Sequence, residues 1–91
     1  MLAKEVTVKD PGGLHLRVAA GLVEIARSHR SDVELSKEDC ADCPKVNACS
    51  ILDLITLGAS QGTSLIIHAS GPDEQEVIAE ITEYFENGGG I

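Results

Sequence analysis

His15 and Arg17 stand two residues apart in P-G-G-L-H-L-R-V-A-A, the stretch from Pro11 to Ala20. The two glycines allow a tight turn, and the alanine-rich run after the arginine reads as the opening of a helix. That order predicts His15 at or just before a helix N-terminus, where free backbone N–H groups and the helix dipole favour negative charge. Arg17 supplies a guanidinium that grips a phosphate or carboxylate through paired hydrogen bonds. Residues two apart do not face each other on a helix, so the pair works together best if His15 precedes the first turn and Arg17 folds back over it. A nucleophilic imidazole beside an anion site is what a transient phosphohistidine needs. Elsewhere, Cys40 and Cys43 form a C-x-x-C pair, and Cys49 directly precedes Ser50. Such a pair is half of a zinc or redox site. A third thiol at Cys49, with Asp39, Asp42 or a distant histidine, would be needed to complete a metal set.

The flanking segments read as alternating strands and helices. Residues 2–9 carry Val6, Thr7 and Val8 in a half-buried strand pattern, which Asp10-Pro11-Gly12-Gly13 stops. Ala19, Leu22, Val23 and Ala26 recur at helical spacing and predict a helix over 16–28. Val33 and Leu35 alternate with Asp32, Glu34 and Ser36 as a second strand, and a polar loop, 37–44, leads to a third over Lys45 to Cys49. Ser50, with Asp53 three residues on, marks a short helix that ends at Gly58. Thr63 to Ser70 is a strand with Leu65, Ile67 and Ala69 on one face and Ile66 and His68 on the other. Asp73, Glu74 and Glu76 then crowd the first turn of a last helix, whose stripe is Val77, Ile78, Ile81, Tyr84 and Phe85. Residues 88–91 read as a frayed tail. The order β-α-β-β-α-β-α, with one apolar face per strand, predicts an α+β open-faced sandwich: a mostly antiparallel four-stranded sheet covered on one side by three helices.

Ninety-one residues suit one domain, 1–91, with one core. A net charge of −8, from 7 basic and 15 acidic residues, argues against nucleic acid as a partner. Tyr84 and Phe85 are the sole aromatics, so no platform for stacking bases exists. Neither a membrane span nor a basic-then-apolar leader is present, which predicts a cytoplasmic protein without membrane insertion. Three cysteines in such a chain disfavour a disulfide framework.

G-L-H-L-R-V-A-A resembles the active-site signature of the histidine-containing phosphocarrier (HPr) family of the bacterial phosphoenolpyruvate:sugar phosphotransferase system. The resemblance begins at Glu5-Val6-Thr7-Val8 and runs into the last helix, leaving aside the enlarged loop 37–44 and the tail. It implies the same βαββαβα sandwich. It also implies a carrier, not an enzyme, that accepts phosphate from phosphorylated enzyme I on His15, through Nδ1, with Arg17 steadying the phosphoryl group. The onward acceptor would be the IIA domain of a sugar permease, and no cofactor is needed. V-N-A-C-S-I-L-D-L resembles the family's regulatory segment. Ser50 then matches a serine phosphorylated by HPr kinase/phosphorylase, while Ile51, Leu52 and Ile55 match the apolar patch that docks on partners. Leu54 and Leu57 would turn inward. A monomer is expected.

Three departures qualify the match. Val18 stands where the family usually has proline, so the first turn loses its preset backbone angle. Glu24 occupies a position that is often lysine, and Cys49 replaces a basic residue before the serine. Two other functions stay open. One is a regulatory paralogue, either nitrogen-type or a Ser50-controlled co-regulator of transcription. The other is a metal or redox sensor built on Cys40, Cys43 and Cys49. For the cysteines, a surface loop with incidental thiols is the preferred reading, and no metal is assigned.

Overall fold

The computed structural model describes residues 1–38 and 45–87. Four strands and three helices follow in the order β1 (Leu2–Thr7), α1 (Leu16–Arg27), β2 (Asp32–Lys37), β3 (Val46–Asn47), α2 (Ile51–Thr56), β4 (Ser64–Ser70) and α3 (Glu74–Glu86). The strands form one antiparallel sheet in the spatial order β1-β4-β2-β3. β4 is central, with Val6 opposite Leu65 on one side and Leu35 opposite Ile67 on the other. These four side chains are buried with Val33 and Ala69 on the covered face. Ile66 and His68 are half-buried on the other. The three helices pack on one side, and Leu22, Leu54, Ile81 and Phe85 meet the sheet in the core. Full burial of each such side chain is worth about 1.5–3 kcal/mol.

β3 is shorter than the expected Lys45–Cys49 strand. Asn47 Oδ1 accepts from the Cys49 N–H at 2.8 Å, and its carbonyl accepts from Ser50 N–H at 3.1 Å, so the chain turns out of the sheet after Asn47. β1 stops at Thr7, although Val8 still donates to the Thr63 carbonyl at 3.0 Å. α2 ends as expected, with Gly58 at φ +68° after the C-cap Leu57. Asp73 departs from its expected part. It precedes α3, but its side chain caps nothing in that helix. Instead it accepts from Ser31 Oγ at 2.5 Å and Arg30 N–H at 3.1 Å, and pairs with His29 Nδ1 at 2.8 Å. The start of α3 is thereby tied to the end of α1. Cys40 and Cys43, most of the 37–44 loop and the 88–91 tail lie outside the described residues. Among the described residues, no helix is long and apolar enough to cross a membrane.

Candidate functional site

The turn between β1 and α1 is held in place by its neighbours. Gly13 N–H donates to the Asp10 carbonyl at 2.8 Å, and Leu14 N–H donates to the Ala59 carbonyl at 2.9 Å. Gly13 sits at φ +74°, and a side chain there would meet the Ala59 carbonyl oxygen. Leu14 is buried in the core. The backbone is therefore fixed immediately before the residue that follows.

That residue is His15, the N-cap of α1. Its Nδ1 accepts a hydrogen bond from the Arg17 N–H at 3.3 Å. Its Nε2 lies 3.2 Å from Asp10 Oδ1. An N–H can only donate and an ionised carboxylate can only accept, so these neighbours select the neutral ring with the proton on Nε2 and the lone pair on Nδ1. Asp10 is almost wholly shielded, at 6% side-chain exposure, while the imidazole keeps 37%. The Gly12 N–H, donating to Asp10 Oδ1 at 2.8 Å, is the main cause holding this carboxyl below its usual range, with His15 and Arg17 adding to it. Asp10 is thus a fixed negative charge behind an accessible ring.

Arg17 does not reach over the imidazole as the sequence suggested. Its Nη2 donates to Asp10 Oδ2 at 2.6 Å, so ring and guanidinium share one carboxylate. The two residues are brought together, but through Asp10. This acidic residue was passed over in the sequence as a strand terminator. The signal for it is Asp-Pro-Gly-Gly, since an aspartate at a turn bonds its own backbone two residues on. Val18 is accommodated as the third residue of α1: it is buried, and its carbonyl accepts from the Tyr84 hydroxyl at 2.8 Å.

Ser50 is the N-cap of α2, and its Oγ accepts from the Asp53 N–H at 3.3 Å. Leu54 and Leu57 turn inward, whereas Leu52 and Ile55 are exposed at 76% and 40%. Ile51 is half-buried against the core, so it belongs only partly to the exposed face. Leu16, in the first turn of α1, is a further exposed apolar side chain that the sequence reading did not single out. α1 packs against α2. Cys49 is a free, exposed thiol.

The site thus sets an N-cap histidine, its Nδ1 lone pair facing the start of α1 and its Nε2 facing a shielded carboxylate, on a four-stranded open sandwich. A family model described as the PTS HPr component phosphorylation site matches residues 2–87. The chain is 38% identical over 87 residues to the phosphocarrier protein HPr of Xylella fastidiosa, covering 96% of this chain and 93% of that one. It is 40% identical over 86 residues to the HPr-like protein Crh of Bacillus subtilis, covering 94% and 96%. The crystal structure of HPr-C-His from Thermoanaerobacter tengcongensis superposes with a TM-score of 0.90 at 34% identity, covering 100% of this chain and 98% of that one. The chain belongs to the HPr family of phosphocarriers.

Proposed function

We propose that this chain receives a phosphoryl group on His15 Nδ1 from phosphorylated enzyme I and passes it to the IIA components of a sugar phosphotransferase system. The observation that carries this reading is the orientation of the ring: Nδ1 faces the start of α1, and Nε2 faces Asp10. The Nδ1 lone pair attacks phosphorus while the donor's bond to phosphorus breaks and its electrons leave with the donor. The Arg17 N–H, which bonds Nδ1 at rest, is placed to donate to a phosphoryl oxygen, and the positive end of the helix dipole favours that charge. Arg17 completes the site by moving its guanidinium toward the phosphoryl oxygens. The chain is a co-substrate of two enzymes and uses no cofactor of its own. Leu52 and Ile55, with Ile51 at their edge, form the docking face.

The test is phosphorylation by phosphoenolpyruvate and enzyme I, on wild type and on His15→Ala. Stoichiometric, acid-labile and base-stable phosphate in wild type, absent from the variant, is the expected result. A folded wild type that takes up none overturns the reading.

A Ser50-controlled regulatory role is the second reading, supported by the similarity to Crh and by the position of Ser50 at a partly exposed helix start. Phosphorylation by HPr kinase/phosphorylase, abolished in Ser50→Ala, is its expected signature. A protein that the kinase leaves unmodified excludes it.

A further inference from the structure

We propose that Asp10 is a positioning residue which keeps the Nε2 proton on His15 throughout the transfer cycle, so that the group leaving phosphorus is a neutral imidazole. This inference rests on the phosphocarrier reading.

The resting geometry supplies the premises. Nδ1 carries the lone pair because Arg17 N–H points at it, and Nε2 carries the proton because Asp10 Oδ1 lies 3.2 Å away. When Nδ1 bonds to phosphorus without loss of a proton, the ring becomes cationic. A shielded carboxylate against Nε2–H stabilises that cation, as a buried aspartate does for a catalytic imidazole. In the return step the N–P bond breaks, its electron pair goes back to Nδ1, and neutral His15 is regenerated with Nε2–H intact. No proton moves in either direction. Were Nε2 to lose its proton in the phosphorylated state, the leaving group would be an imidazolate, a far stronger base and a poorer leaving group.

The surroundings hold Asp10 to this task. Gly12 N–H fixes Oδ1 at 2.8 Å, and Arg17 Nη2 fixes Oδ2 at 2.6 Å, so the carboxylate cannot swing away from the ring. Should Arg17 turn to the phosphoryl group, Oδ1 stays bound by Gly12 N–H and Nε2–H. Among the described residues, the charged side chain paired with the ring is Asp10, in the turn before α1, and the Arg17 guanidinium, on α1, pairs with the other oxygen of that carboxylate.

The experiment uses the full chain labelled with 15N, as wild type, Asp10→Asn and Asp10→Ala. Asparagine retains an oxygen to accept from Gly12 N–H and Nε2–H but removes the charge; alanine removes both. Ring 15N and 1H spectra are recorded before and after phosphorylation by phosphoenolpyruvate and enzyme I, and transfer to a IIA domain is timed. In wild type the Nε2 proton of the phosphorylated ring should persist to higher pH than in Asp10→Asn, and transfer from the variant should be slower by about tenfold to a hundredfold. Equal proton retention and equal rates in wild type and Asp10→Asn would overturn the proposal. Thermal melts of both variants separate a folding defect from a loss of positioning. If a variant does not fold, the Nε2 proton in wild-type protein still decides: a hydrogen-bonded, exchange-protected Nε2–H supports the assignment, and a proton on Nδ1 refutes it. Failure of wild type to accept phosphate would instead sink the carrier reading, and the unphosphorylated ring spectra would still report whether Asp10 holds the proton.

Discussion

A methyl group on Gly12 would lie 2.7 Å from Cδ2 of His15 and 3.2 Å from its Nε2. Gly12 therefore matters through space rather than through φ: it lets the ring approach Asp10 across the turn. Gly12→Ala should displace the imidazole and slow phosphoryl uptake by about tenfold or more, because an ångström of misplacement at a reacting group costs up to roughly a hundredfold. Initial rates with enzyme I would measure this, and rates equal to wild type would show that the ring tolerates the shift. The histidine, the arginine and the start of the helix were all legible from P-G-G-L-H-L-R. What stayed hidden was the carboxylate that joins them. Asp10 and His15 are five residues apart across a turn, and no periodicity of strand or helix predicts which side chains meet there. Only the turn chemistry of Asp-Pro-Gly-Gly hinted at it.

The elements are fastened at points the sequence pattern does not encode. His29, just past α1, pairs with Asp73, just before α3, across 44 residues of chain. The hydrogen bond to Asp73 is the main cause raising the His29 pKa above its ordinary 6.5, with Glu80 adding to it. The hydrogen bond from Ser31 is the main cause lowering Asp73 from 3.8 to about 2, with Arg30 N–H and His29 contributing. The signs follow from linkage. A raised His29 gives stability that is full below 6.5 and is lost as pH rises through its higher folded-state value. A lowered Asp73 gives stability that is present above 3.8 and is lost as pH falls toward about 2. The His29 contribution should accordingly fade as pH rises above 6.5, so wild type should lose part of its advantage over His29→Gln there. Urea titrations of both proteins below and above that value would show it, and a constant difference in stability between them would rule out the link. Periodicity revealed α1 and α3 through their single apolar stripes, and β2 and β4 through the alternation of their core-facing residues. It could not reveal Tyr84 donating to the Val18 carbonyl, for which Gly21 leaves the room, since a side chain there would run into the Tyr84 hydroxyl. Nor did it show β3 ending at Asn47, where a side-chain oxygen competes with the ladder.

Across the whole molecule, a net charge of −8 provides no broad positive field with which to attract a partner. The exposed apolar side chains point to the alternative. Leu16 is 63% exposed in the first turn of α1, directly after His15, and Leu52 and Ile55 are exposed on α2, which packs against α1. The sequence signalled the α2 part, because five apolar residues in Ile51–Leu57 are more than one buried stripe of a short helix requires. It did not separate inner from outer residues without a family likeness, since a helix of six residues is under two turns long. The structure separates them, and the two sets should respond oppositely to truncation. Leu54 is fully buried, so Leu54→Ala should cost about 2–5 kcal/mol of stability. Leu52 is 76% exposed, so Leu52→Ser should change stability by no more than about 0.5 kcal/mol. If α2 is the docking face, the same Leu52→Ser substitution should raise the KM for transfer from enzyme I by about tenfold, the loss of one well-placed contact. The decisive result is the combination within one variant: an unchanged melting temperature with a raised KM assigns Leu52 to partner contact, whereas an unchanged KM removes it from the docking face and leaves Leu16 and Ile55 to account for binding.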